Sequence, residues 1–202
     1  MPRGSLKARR NRVYVRAPRP RDAAAFLSAV RASRELHRGW VKPPSTRAAY
    51  AAMVARYAPS RRASAPLRHC GLLVVRREDD AIAGVINVSE IVRGSFQSAY
   101  LGYYAFAPHT GRGYMHEGLE LVLAWVFRTL KLHRVEANIQ PENRRSIALV
   151  EKSGFVREGY SRRYVKVGGR WRDHARYAIL AEDWRARVAK RRSRRAAARE
   201  SA

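Results

Sequence analysis

Polar and apolar positions first alternate at Arg12 to Arg16 (Arg-Val-Tyr-Val-Arg), the period of a half-buried strand. Pro18 and Pro20 end it. The period then lengthens to that of a helix predicted from Arg21 to Leu36, with Ala25, Phe26, Ala29 and Val30 inward. Pro43-Pro44 breaks the chain, and Ser45 is the expected N-cap of a second helix reaching Tyr57. Arg-, Ser- and Pro-rich residues from Pro59 to Arg68 read as a loop. Three strands are expected next, His69 to Arg76, Ala81 to Val92 and Ser98 to Phe106, parted by Asp79-Asp80 and Arg93-Gly94-Ser95.

The plainest helical signal follows. Leu119, Val122, Leu123, Val126, Phe127 and Leu130 make one continuous apolar face. Arg134 to Gln140 reads as a short strand. Asn143 is placed to cap a helix through Ser153, and Gly154 to stop it in the left-handed region. A hairpin closes the pattern: Phe155 to Val167, a Gly168-Gly169 turn, and Trp171 to Leu180. The order is β, α, α, β, β, β, α, β, α, β, β, which predicts a mixed α/β sheet in a single domain.

Composition narrows the function classes. The chain has 202 residues, 46% of them hydrophobic, enough for one packed domain. No apolar run approaches the roughly 20 residues of a membrane span, and the N-terminus does not read as a signal peptide. One cysteine, Cys70, excludes an internal disulfide and a cysteine-based zinc site, and suits a reducing cytoplasm. It sits in an apolar strand, where burial and inertness are expected. His37, His109, His116, His133 and His174 show no spacing that suggests a metal site, so none is expected. Trp125 and Trp184 are expected to pack.

Charge changes the picture more. Forty-two Lys and Arg against sixteen Asp and Glu leave a formal net charge of +26. Such a field attracts anionic partners. Part of the excess lies at the ends, where residues 1–11 are expected to be a basic disordered tail and residues 185–202 a basic C-terminal tail. The latter is Arg- and Ala-rich, a frayed helix at most, with no apolar face to dock. The domain proper is expected over residues 12–184. Charge alone leaves nucleic acid, a ribosomal surface and a phosphorylated cofactor open.

The candidate chemistry lies where a strand runs into a loop holding Gly111 and Gly113 and then at once into a helix. Glycines at a helix start let a ligand approach the backbone, whose unpaired N–H groups bind phosphate oxygens. Arg112 adds a formal charge. A pyrophosphate site is predicted, although a Gly-x-Gly before a helix also fits an ordinary tight turn. It is not a Walker loop, because no Gly-Lys-Ser/Thr follows, and a dinucleotide fingerprint would need a further glycine and a well-placed acid.

The loop Thr-Gly-Arg-Gly-Tyr-Met resembles the pyrophosphate loop of the GNAT superfamily of acyl-CoA N-acyltransferases, Q/R-x-x-G-x-G/A. Gly113 matches its fixed glycine. Thr110 stands where Gln or Arg is usual and Met115 where Gly or Ala is usual, the Met being common in the Rim-type branch of ribosomal-protein-alanine N-acetyltransferases. The stretches VRGSF, HRVEAN, PENRRS, GFVREGY and WRDH recur in that branch together and in order. The similarity spans residues 12–184 and is loosest from Arg21 to Leu67, the region that shapes the acceptor site in the family.

The resemblance implies a central, mostly antiparallel sheet whose fourth and fifth strands splay apart, with acetyl-CoA as cosubstrate in the gap. It implies that the backbone of Thr110, Gly111, Arg112, Gly113, Tyr114 and Met115 holds the pyrophosphate. Main-chain groups of Tyr104, Ala105, Phe106 and Ala107 would pair with the pantetheine, a bulge there aiming one N–H at the thioester carbonyl. Asn143 and Ser146 match the family's N-x-x-S near the cofactor sulfur; Asn143 also fits a simple cap. A carboxylate or an ordered water would take the proton of the amine. Glu90 is the candidate base, against the plain reading of a solvent-facing carboxylate. Related enzymes place a Glu in the sixth strand, where this chain has Tyr164-Val165. Tyr164 or Ser146 would then protonate the departing thiolate, unless Tyr164 is a packed aromatic. The implied acceptor is the N-terminal alanine of a ribosomal protein, with ribosomal RNA contacted through the basic tails and no membrane partner. Two other functions stay open: acetylation of a small amine, and a basic RNA- or ribosome-binding module without catalysis.

Overall fold

The computed structural model describes residues 11–58 and 67–200. The basic segment ahead of Asn11 and most of the loop expected from Pro59 lie outside the described residues. Seven strands, β1 (Val13–Arg16), β2 (Cys70–Arg76), β3 (Ile82–Val92), β4 (Ser98–Ala105), β5 (Arg134–Ile139), β6 (Val156–Val167) and β7 (Arg170–Leu180), form one sheet. Its order is β1-β2-β3-β4-β5-β7-β6, and only the β4–β5 pair is parallel. The mixed sheet read from the sequence is therefore present, and mostly antiparallel.

Helices cover both faces. On one, α4 (Tyr114–Arg128), α5 (Arg144–Lys152) and α6 (Ala181–Glu200) lie over the larger core of Val13, Leu72, Val74, Ile86, Val88, Leu101, Leu123 and Phe127. On the other, α1 (Ala23–Ala32) and α3 (Arg47–Tyr57) enclose Phe26, Tyr50, Leu73, Val85, Tyr104 and Phe106, with short α2 (Arg34–His37) beside them. Strand β2 is consequently buried along almost its whole length, the mark of a strand covered on both faces. Gly118 lets α4 sit close, because a Cβ there would lie 2.7 Å from a Val74 methyl. Trp125 and Trp184 are buried, the latter 5.5 Å from the Phe127 ring. Cys70 is buried too, and burial pushes its thiol up to about 11.

Four local expectations shift. The helix predicted from Arg21 to Leu36 is a 3-10 turn (Pro20–Asp22), then α1, then α2. It breaks at Ser33, whose hydroxyl bonds back to the Ala29 carbonyl, an arrangement that bends helices. Phe26, Leu27 and Val30 turn inward, while Ala25 is exposed. Thr46, not Ser45, caps α3, its hydroxyl accepting from the Ala49 amide at 3.1 Å. Helix α6 starts upstream of Arg185 and does have a docked stripe: Ala181 and Trp184 are buried and Val188 packs on the core. Arg187 and Arg191 bind the two carboxylate oxygens of Glu120 at 2.7 and 2.9 Å.

Candidate acyl-carrier cleft

β4 and β5 pair only from Ser98 opposite Arg134 to Tyr100 opposite Glu136. Beyond that both strands continue, β4 to Ala105 and β5 to Ile139, without pairing to each other. The sheet is forked, and the edges facing the gap expose main-chain groups that a ligand can meet as a strand would. Because the Phe106 amide donates to the Ala83 carbonyl at 2.9 Å, the alternation of an antiparallel ladder turns the main-chain groups of Ala105 and Tyr103 toward the gap.

Two main-chain groups at this end of β4 are already held. The Ser33 hydroxyl accepts from the Ala107 amide at 2.8 Å, and His37 Nε2 lies 2.8 Å from the Ala105 carbonyl, to which it donates. Both side chains are almost fully buried. The end of β4 is thus pinned by α1 and α2, and of the backbone expected to meet pantetheine, the Ala105 carbonyl and Ala107 amide are engaged within the protein. His37 lies edge-on to Tyr104, 5.5 Å away, and burial raises the Tyr104 phenol.

At the mouth of the fork, Gly111 and Gly113 take φ of 74° and 81°, the left-handed region open to glycine at little cost. Gly113 is the N-cap of α4 and supplies no side chain, so the first-turn amides stay uncapped and point outward. Arg12 braces the loop: its guanidinium donates to the Arg112 carbonyl at 2.8 Å and to Glu117 at 2.7 Å. Arg12 and Arg76 lie over the buried Tyr114 ring at 4.9 and 5.4 Å. The Thr110 hydroxyl is turned back to the Ala107 carbonyl at 3.0 Å. Met115 packs against Gly84, where a Cβ would come within 2.4 Å of its sulfur. The helix dipole and the uncapped amides favour negative charge at this end of α4. Beside it, burial and then the charge of Arg76 hold the His109 imidazole below its usual pKa.

Across the fork Asn143 caps α5, its Oδ1 accepting from the Ser146 amide at 3.1 Å. Ser146 Oγ lies 2.6 Å from the Tyr103 hydroxyl, which also donates to the Ser146 carbonyl at 2.9 Å. Burial raises the Tyr103 phenol, so it stays protonated near neutral pH. The other candidates stand apart from this pair. Glu90 is exposed in an irregular stretch of β3, at φ 47°, next to the Ser89–Tyr100 register. Tyr164 is 39% exposed on β6, its hydroxyl 3.5 Å from that of Tyr100. That contact, then burial, pushes Tyr100 up to about 12.

Several neighbours of the cleft carry no local sequence signal. Tyr103, Ser33 and His37 are found only through contacts 43 to 74 residues away. Gln140 donates to the Gly39 carbonyl at 3.0 Å, tying β5 to the segment after α2. On the face opposite α4, Glu136 is bound by Arg134 at 2.9 Å and Arg176 at 3.6 Å. Register sets Asn87 opposite Gly102, and Asn138 two residues past Glu136 on the far side of the gap. Among the described residues their Oδ1 atoms have no hydrogen-bond partner.

A sheet forked between two parallel strands, with a glycine-capped helix starting at the fork, defines the GNAT class of acetyltransferases. The chain belongs to that family: residues 12–156 match the model of the acetyltransferase (GNAT) domain. Within it, the chain is 41% identical over 107 residues to the [ribosomal protein uS5]-alanine N-acetyltransferase of Escherichia coli, covering 53% of this chain and 55% of that protein. It is 41% identical over 115 residues to the probable N-acetyltransferase YjcK of Bacillus subtilis, covering 57% and 62%. The matches thus span just over half the length of these relatives. Among solved structures, Mycobacterium smegmatis RimJ in complex with CoA-disulfide superposes with a TM-score of 0.76 at 29% identity, covering 85% of this chain and 83% of that one.

Proposed function

We propose that the protein transfers an acetyl group from acetyl-CoA to a primary amine, the N-terminal alanine of a ribosomal protein. The observation that carries this reading is the forked β4–β5 edge opening beside the uncapped start of α4. It offers one continuous path for an anionic head, an amide-bearing arm and a thioester. Arg112 and the amides of Gly111 to Met115 hold the pyrophosphate, and the free edge of β4 pairs with the arm. Backbone N–H near Ala105 stabilises the oxyanion, a contribution of about 3 kcal/mol.

The attacking group is a neutral amine. An α-amino group titrates near pH 8, so a weak base suffices. Glu90, directly or through water, takes the proton as the C–N bond forms. The tetrahedral intermediate then collapses and the C–S bond breaks. The proton for the departing thiolate comes from Ser146, whose hydroxyl contacts Tyr103, or from Tyr164, whose hydroxyl lies 3.5 Å from that of Tyr100.

The branch-specific stretches and the resemblance to the E. coli alanine N-acetyltransferase support the protein acceptor. A second reading has a specific motive, a 28% identical spermidine N(1)-acetyltransferase of Vibrio cholerae. Against it, the carboxylate of Glu136 is already bound by Arg134 and Arg176, which suits a polycation poorly. The test is an acceptor panel with acetyl-CoA, read by mass spectrometry. Peptides with the N-terminal sequences of ribosomal proteins that start with Ala should gain one acetyl group, and the same peptides with blocked N-termini none. Brisk acetylation of spermidine with untouched peptides would overturn the acceptor assignment.

A further inference from the structure

The β6–β7 hairpin outgrows the sheet. β5 last pairs with β7 at Ile139 opposite Ala175, while β6 and β7 continue to Val167 opposite Arg170. Residues 160–174 therefore form a two-stranded arm, roughly 15 Å long at about 3.3 Å per residue. Its apolar side chains face outward. Trp171 is 60% exposed and Tyr160 49%, with Val165 beside them. Arg162, Arg163, Lys166, Arg170 and Arg172 stand between, all exposed. Asp173 is the only acid in the arm. It is occupied, accepting from the Tyr160 hydroxyl at 2.5 Å and the Arg163 amide at 2.7 Å.

Among the described residues, some cations of the molecule are neutralised by carboxylates and those of the arm are not. Arg12, Arg16, Arg76, Arg134, Arg187 and Arg191 all pair with carboxylates. Among the described residues, none of the five arm cations forms a salt bridge. Register sets Lys166 opposite Trp171 and Val165 opposite Arg172, so cations and apolar groups alternate across both faces of the ribbon.

We propose that this arm binds single-stranded nucleic acid wrapped across the narrow ribbon, its bases stacking on Trp171 and Tyr160 and its phosphates meeting Lys166 on that face and Arg170 and Arg172 on the other. The combination of flat exposed rings with unpaired cations is the chemistry of such sites. A lipid surface would meet one face of the ribbon and leave the other bare. An acidic polypeptide would match the charge and leave the rings without stacking partners. The proposal is tested apart from acetyl transfer, because binding is read without acetyl-CoA and none of the substituted residues is Tyr164, the arm's candidate in that reaction.

The test is fluorescence anisotropy of the full chain with an unstructured RNA of about 20 nucleotides, and with DNA of the same sequence. Each is titrated between about 50 and 200 mM salt. Changing Lys166, Arg170 and Arg172 together to Gln should flatten the slope of log affinity against log salt by about 2, since each phosphate contact on a single strand contributes about 0.7. W171A should lose roughly tenfold in affinity, and W171F should keep most of it. Changing Lys190, Arg192 and Arg194 of α6 to Gln removes the same charge and should flatten the slope by less than 1. Unaltered melting temperatures of the variants show that the fold persists. Tighter binding of RNA than DNA assigns the arm to RNA, and equal binding assigns it to single strands in general. The proposal falls if the α6 variant matches the arm variant, if W171A binds like the parent chain, or if neither oligonucleotide binds. It falls equally if the arm variant only weakens the KM for a protein acceptor.

Discussion

Removing the Ser33 hydroxyl tests whether the end of β4 is held by the helices or holds itself. Ser33 is fully buried; its Oγ accepts from the Ala107 amide at 2.8 Å and donates to the Ala29 carbonyl at 2.7 Å. In S33A the Ala107 N–H loses its acceptor. An unsatisfied buried donor costs about 1 to 3 kcal/mol, and because Ala107 is half-buried, water recovers part of this. The expected loss is therefore about 1 to 2 kcal/mol. For a chain of this size that lowers the melting temperature by roughly 2 to 8 °C. His37→Leu removes the second pin, the 2.8 Å bond to the Ala105 carbonyl, at similar volume. If both pins hold one segment, the double variant should fall short of the summed losses by about 0.5 kcal/mol or more. The assay is urea unfolding of the four proteins, followed by steady-state acetylation at a temperature where all are folded. Both singles should raise the KM for acetyl-CoA and lower kcat, because the proposed donor to the thioester carbonyl sits on the released segment. Strict additivity, or an S33A midpoint and kinetics equal to the parent's, would refute the reasoning.

Three further outcomes are expected. Gly84→Ala should weaken acetyl-CoA binding in calorimetry, since its Cβ would lie 2.4 Å from Met115 Sδ and 2.6 Å from the Tyr104 carbonyl; the overpacking itself costs about 1 to 3 kcal/mol. His109, held down by burial and then by Arg76 and Arg112, should titrate higher by NMR once CoA supplies negative charge at α4; a fall would contradict the anion site. Asp22 feels burial, which opposes its charge, yet Arg16 at 2.6 and 2.8 Å and the Arg19 amide at 2.8 Å prevail and hold its pKa below 3.8. Its stabilisation is thus full above 3.8 and is lost as pH falls through the lower folded value. D22N should cost about 3 kcal/mol at neutral pH, a deficit that narrows on acidification in urea melts.

Elements whose signals are local were legible. The apolar face of α4, the cap at Asn143, the left-handed Gly154 and the Gly168-Gly169 turn each depend on residues within one or two turns of each other. The glycine loop was legible for the same reason, since Gly111 and Gly113 set its backbone themselves. Ser33 was not, because a hydroxyl that bends a helix looks in sequence like any exposed Ser. The docked stripe of α6 was hidden by the basic residues around Trp184 and Val188; it shows only when those two sides meet Phe127 and the core.

Sequence alone determined the strands, the order from β1 to β7 and the glycine-led start of α4, all functions of short-range periodicity and of glycine's freedom at positive φ; the split of the first helix and the docked α6 it did not. The tertiary structure decided what the cleft contains. Only closure of the sheet in the order β4-β5-β7-β6 ends the pairing at Tyr100 and Glu136 and opens a gap. It also brings Tyr103 to Ser146, and Ser33 and His37 to the end of β4. Those contacts join residues far apart along the chain, and whether a hydroxyl or imidazole finds a partner depends on packing geometry that no local pattern encodes. The same holds for charge. Composition supplies a net +26, but the fold spends Arg12, Arg76, Arg134 and Arg187 on carboxylates and leaves those of the β6–β7 arm facing water.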